Sequence, residues 1–79
     1  MSTAISLASA RVGTSLTLLR AEGSPELCRR LSALGLRRGA RVRIVNPTPG
    51  GGRVISVAGS RIAMDASMLK RLFAEEIPA

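Results

Sequence analysis

The sequence has no histidine, tryptophan or tyrosine, one phenylalanine (Phe73), one cysteine (Cys28) and five acidic residues. Without histidine, a serine or cysteine nucleophile lacks its usual general base, and Lys70 is the only lysine that can replace it. A tight zinc or iron site needs three or four ligands gathered from His, Cys, Asp and Glu. The acids are Glu22, Glu26, Asp65, Glu75 and Glu76. Glu22 and Glu26 straddle a helix start, while Glu75 and Glu76 are adjacent on a strand and point to opposite faces. No catalytic residue, intrinsic metal site or cofactor is therefore expected, and the chain reads as a non-enzyme. A lone cysteine forms no internal disulfide, so nothing points to an oxidising compartment. No apolar run approaches the roughly 20 residues needed to cross a bilayer. The opening "MSTAISLASARVGT" lacks the basic n-region and long apolar h-region of a signal peptide. The expectation is a soluble cytoplasmic protein, reaching a membrane only through a partner or through surface charge.

What the chain does have is arginine. Twelve basic residues, eleven of them Arg, against five acids give a net charge of +7. That charge attracts polyanions or an acidic protein face without saying which. With 79 residues there is room for one domain. A domain this small buries only about 60% of its unfolded surface, which favours a surface binding module over a deep cleft.

The pattern along the chain alternates strand and turn signals around one helix. Residues 1–6 read as a loose lead-in, with the domain over 7–77. "SLTLLRA" (15–21) sets Leu16 and Leu18 on one face, a strand period. Ser24-Pro25-Glu26 is a helix start: a cap, a proline suited to the first position and an acid at the positive end. Leu27, Leu31 and Leu34 follow on one stripe, with Cys28 beside it as a small core side chain. Gly35 stops the helix in the left-handed conformation, and Leu36 folds back on the last turn. After the Arg37-Arg38-Gly39 turn, Val42 and Ile44 alternate with Arg41 and Arg43. "NPTPGGG" is a hairpin connection, and "RVISVAG" is a strand with Ile55 and Val57 on one face. Gly59-Ser60 turns into "RIAMD", where Ile62 and Met64 face inward. Asp65 caps a helical turn carrying Met68, Leu69 and Leu72, and "FAEEI" ends the chain as a strand. The fold class is mainly β: a small, strongly bent five-stranded barrel, with one α-helix between the first two strands and a short helical turn before the last.

Two anion-binding readings compete with a plain solvent face. "PTPGGGR" lacks the lysine and following helix of a phosphate loop, so it reads as a flexible hairpin tip. Arg41, Arg43, Arg53 and Arg61 form a candidate basic face for nucleic acid. Small barrels that bind single strands add aromatic platforms, which are missing here, leaving only non-specific phosphate attraction.

"LSALGLRRGARVRIV" (31–45), the loop at 47–52, the "SVAGSRIAMD" hairpin and "MLKRLFAEE" together resemble the FeoA family, as do Leu7 and Gly13 upstream. The resemblance covers about residues 7–76. It departs from the family in an unusually glycine-rich short loop, a high charge and Ala74 where a β-branched residue is usual. It implies an SH3-like barrel in the cytoplasm, accessory to ferrous iron uptake, acting by contact with the GTP-hydrolysing cytoplasmic portion of the FeoB transporter. At family level it also implies transition-metal-ion binding; direct handling of Fe(II) is a third reading, which would need ligands from a partner or from weak homo-oligomerisation. The expected partner-binding residues are Leu34, Leu36, Arg37 and Arg38, where an apolar groove between helix and barrel would open beside positive charge. The alternative is a basic barrel binding nucleic acid through the strand arginines.

Overall fold

A computed structural model describes residues 4–78. Six strands form one antiparallel sheet: β1 (Ile5–Ser6), β2 (Ser15–Ala21), β3 (Arg41–Pro47), β4 (Arg53–Val57), β5 (Ser60–Met64) and β6 (Leu72–Glu76). The spatial order is β1-β6-β2-β3-β4-β5. Helix α1 (Pro25–Ala33) connects β2 to β3, and the single turn α2 (Ala66–Leu69) connects β5 to β6. The sheet carries bulges on β2 between Leu18 and Arg20 and on β3 between Ile44 and Asn46, which increase local twist and bend the strands. Bending brings every inner face onto one core. Leu16, Leu18, Val42, Ile44, Ile55, Val57, Leu72 and Ala74 are all buried in a single cluster, with Leu31, Leu36 and Leu69 packed from outside the strands. The architecture is SH3-like, as expected.

The sixth strand corrects the expected count. Ile5 and Ser6, assigned to a loose lead-in, pair with Ala74 and Phe73 of β6. Leu7 and Ala10 are buried, and the Leu7 N–H donates to the Leu72 carbonyl at 2.9 Å. Residues 1–3 of that lead-in lie outside the described residues. Ala74 is no obstacle to β6, because it sits fully buried between Leu18 of β2 and Ile5 of β1, where a small side chain suffices. Leu72, placed with the helical turn, instead begins β6.

The helix is built as its caps require. The Ser24 hydroxyl accepts from the Leu27 N–H at 3.1 Å. At the other end the Leu36 N–H donates to the Leu31 carbonyl and the Gly35 N–H to the Ser32 carbonyl, both at 2.9 Å. That pair of bonds is a Schellman stop with Gly35 in the left-handed region at φ 95°. The β4–β5 hairpin turns on Ala58 and Gly59, one residue earlier than Gly59-Ser60. Both have positive φ, 51° and 81°, as a type I′ turn demands.

Candidate functional site

The apolar stripe of α1 is wider than the core can cover. Leu31 is buried, Leu27 is half-buried, and Leu34, the C-cap residue, remains 50% exposed. Beside them β5 contributes Ile62 and Met64, and α2 contributes Met68. Together these side chains line a groove of about 280 Å³ between helix and sheet, with Arg30 and Asp65 also on its wall. Asp65 is occupied in part by capping α2, its carboxylate accepting from the Met68 N–H at 2.8 Å. The groove is thus mainly aliphatic and thioether, a shape for an apolar side chain from a partner, with one guanidinium at its edge.

The four expected interface residues do not converge. Leu34 lines the groove. Leu36 is 2% exposed and belongs to the core, because the Schellman geometry folds it under the helix end; in this conformation no partner can touch it. Arg37 and Arg38 are exposed on the turn that follows, outside the groove lining. The turn itself is fixed by the Gly39 N–H donating to the Leu18 carbonyl at 2.8 Å and the Ala40 N–H to the Arg37 carbonyl at 2.9 Å. Sequence reasoning missed Leu27, Ile62 and Met68 as groove residues. Their apolar spacing was visible, but which elements leave them uncovered depends on how α1 meets β5.

The basic strand face also changes membership. Arg53 has the same parity on β4 as the inward residues Ile55 and Val57. Its guanidinium donates to the carbonyls of Leu7 (3.1 Å) and Ala10, tying the N-terminal segment to β4. Arg41, Arg43 and Arg61 remain outward and exposed. Arg20 lies 4.4 Å above the Phe73 ring and pairs with Glu22 at 3.2 Å. Cys28 is half-buried rather than a core residue, its thiol 3.7 Å from the Ala21 carbonyl. Among the described residues, no three His, Cys, Asp or Glu side chains come together as metal ligands. No helix among them is long and apolar enough to cross a membrane.

The FeoA domain family matches residues 5–76. The chain belongs to the FeoA family. Among solved structures, an iron uptake regulatory protein FeoA superposes with a TM-score of 0.85 at 23% identity, covering 95% of this chain and 100% of that one. FeoA of Stenotrophomonas maltophilia, a prokaryotic SH3 domain protein solved in complex with zinc, is 28% identical with a TM-score of 0.74. The match covers 89% of this chain and 88% of that one. A manganese-dependent transcriptional repressor shares the fold at a TM-score of 0.85 and 15% identity; 98% of this chain spans 44% of its length. No curated protein matches the sequence.

Proposed function

We propose that this FeoA-family protein is a non-enzymatic accessory of ferrous iron uptake, acting in the cytoplasm by contact with the GTP-hydrolysing portion of a FeoB-type transporter. Family membership supports the iron-transport role, and the Stenotrophomonas maltophilia relative has been put forward as a ferrous iron transport activating factor. The observation that carries the contact is the uncovered groove of α1, where Leu34 is half-exposed beside Leu27, Ile62 and Met68. An exposed leucine on a groove floored by thioethers and aliphatics is the kind of pocket that takes a partner's apolar anchor. Arg30 on the wall, with Arg37 and Arg38 on the adjoining turn, supplies a cationic border suited to an acidic partner surface.

Ferrous iron in this reading is the transporter's cargo. A donor set of three or more side chains would have to be completed by the partner or a second copy, and anaerobic Fe(II) titration of the isolated protein should give no saturable site. The contact is tested by pull-down with the soluble cytoplasmic portion of the transporter. Wild-type protein should be retained, and Leu34→Asp should lose retention while remaining folded. Retention of the variant at wild-type level would remove the groove from the interface.

A further inference from the structure

The alternation that buries Val42, Ile44, Ile55 and Val57 turns Arg41, Arg43 and Ser56 outward, with Arg61 next to them on β5. The strand register draws these into a row. Arg43 faces Ser15 of β2 on one side and Ser56 of β4 on the other, and Ser56 faces Arg61. Neighbouring strands lie about 4.8 Å apart, so Arg43 and Arg61 flank the Ser56 hydroxyl at a backbone separation of about 10 Å. A depression lined by Arg43, Val45, Ser56 and Arg61 sits on this row. A second, sharing Arg43 and Ser56, continues it to Arg41 and Ser15, and a third, which also holds the Glu76 carboxylate, extends from Arg41 and Ser15 to Arg11. Arg41 and Arg43, two residues apart on one face of β3, and Arg61 across Ser56 concentrate positive charge on this side of the sheet. The one ion pair among the described residues, Arg20–Glu22, does not involve this strip.

We propose that this strip docks on the anionic headgroups of a phospholipid bilayer, with guanidinium and serine hydroxyl groups contacting lipid phosphates and no segment spanning the membrane. Two observations favour lipid over nucleic acid. The chain's single aromatic side chain, Phe73, lies beneath Arg20, so the strip offers no platform for base stacking. At the strip's end, between Arg11 and Gly13, which both line the third depression, Val12 is 48% exposed. Cations joined to an exposed apolar side chain match the two components of an interfacial contact, headgroup charge and acyl boundary. The inference is independent of the transporter contact, since the strip depressions share no residue with the α1 groove.

The test is co-sedimentation of the full chain with vesicles of phosphatidylglycerol and phosphatidylcholine, against phosphatidylcholine alone. Binding is expected only to the anionic vesicles and should weaken with salt. Each arginine near an anionic surface contributes roughly fivefold, so the triple change Arg41→Ser, Arg43→Ser, Arg61→Ser should weaken binding about 100-fold. A charge-matched control, Arg29→Ser, Lys70→Ser, Arg71→Ser, should weaken it by less than about tenfold, since those residues lie off the strip and only the long-range field is lost. Val12→Ser should weaken it about threefold. Thermal melts confirm that each variant is folded before its binding is compared. The proposal is overturned by absence of binding to anionic vesicles at low salt, by equal losses in the two triple variants, or by tighter binding of a single-stranded oligonucleotide that ignores Val12→Ser.

Discussion

The Arg53 guanidinium donates to the backbone carbonyl of Leu7 at 3.1 Å, joining the fourth strand to the segment that follows the first. It also donates to the Ala10 carbonyl, so one side chain satisfies two carbonyls on a segment whose Leu7 and Ala10 side chains are both buried. Removing it while keeping the stem, as Arg53→Met, leaves those acceptors unpaired. The expected cost is about 2 kcal/mol, which in a domain of this size lowers Tm by on the order of 10 °C. An unchanged melting temperature would mean the N-terminal segment is held by its pairing with β6 and its apolar contacts without help from Arg53. The same substitution should not disturb the outward arginines of β3 and β5.

A second prediction concerns the hairpin between β4 and β5. Ala58 occupies the left-handed region at φ 51°, a conformation that costs an L side chain about 1 kcal/mol or more. Its partner in the turn is Gly59, and Asn-Gly is a strongly favoured pair for this turn type. Ala58→Asn is therefore expected to raise stability by about 0.5–1 kcal/mol, read as an increase in the denaturation midpoint at unchanged slope. Ala58→Val should move the midpoint the other way, since a β-branched side chain fits that backbone worst.

How much of this was legible in the sequence depended on whether the deciding information was local. Helix α1 followed from Ser24, Pro25 and Gly35, each acting within a turn of itself, and the observed bounds agree to a residue. The strands around Val42 and Ile55 followed from period-two alternation. That alternation already placed Arg53 with Ile55 and Val57, but an inward arginine becomes plausible only once a carbonyl partner is known, and Leu7 and Ala10 lie far away in sequence. Strand β1 is two residues long and pairs near the other end of the chain, so no local pattern announces it. At the site, the groove between helix and barrel was foreseen as a place, with Leu34 on it. Leu36 carries two readings in the sequence, because an apolar residue just after a helix stop fits both a buried Schellman contact and an exposed anchor, and the packing decides for the first.

The helix stop and the hairpin turn touch, which makes Gly35 and Ala58 a coupled pair. A Cβ built on Gly35 would lie 3.1 Å from the Ala58 Cβ, tighter than ordinary contact, and Gly35 also needs φ 95°. Gly35→Ala is expected to cost about 2 kcal/mol, part backbone strain and part contact. Adding Ala58→Gly removes the contact, and the gain from relieving the backbone of residue 58 is subtracted by measuring the Ala58→Gly single variant. The double-mutant cycle should thus show a coupling of at least about 0.5 kcal/mol, and strict additivity would place the whole cost in the backbone.

Leu34 and Leu36 flank Gly35 and are predicted to separate binding from stability. Leu36 is buried in the core cluster just beyond the end of α1, so Leu36→Ala removes core volume and should destabilise by about 3 kcal/mol. Against the 5–15 kcal/mol typical of whole domains that is a large fraction, visible as a marked fall in Tm. Leu34, half-exposed, has little to lose on its own, and Leu34→Ala should shift stability by no more than about 0.5 kcal/mol. In a titration against the transporter's cytoplasmic portion the order should reverse. Leu34→Ala should weaken binding by about tenfold, the effect of losing a modest apolar anchor. Leu36→Ala, measured at a temperature where it is still folded, should bind within about threefold of wild type, because its side chain faces the core and leaves the groove lining intact. If both variants bind equally weakly, the helix end as a whole is the contact. If neither affects binding, the partner engages another face of the barrel.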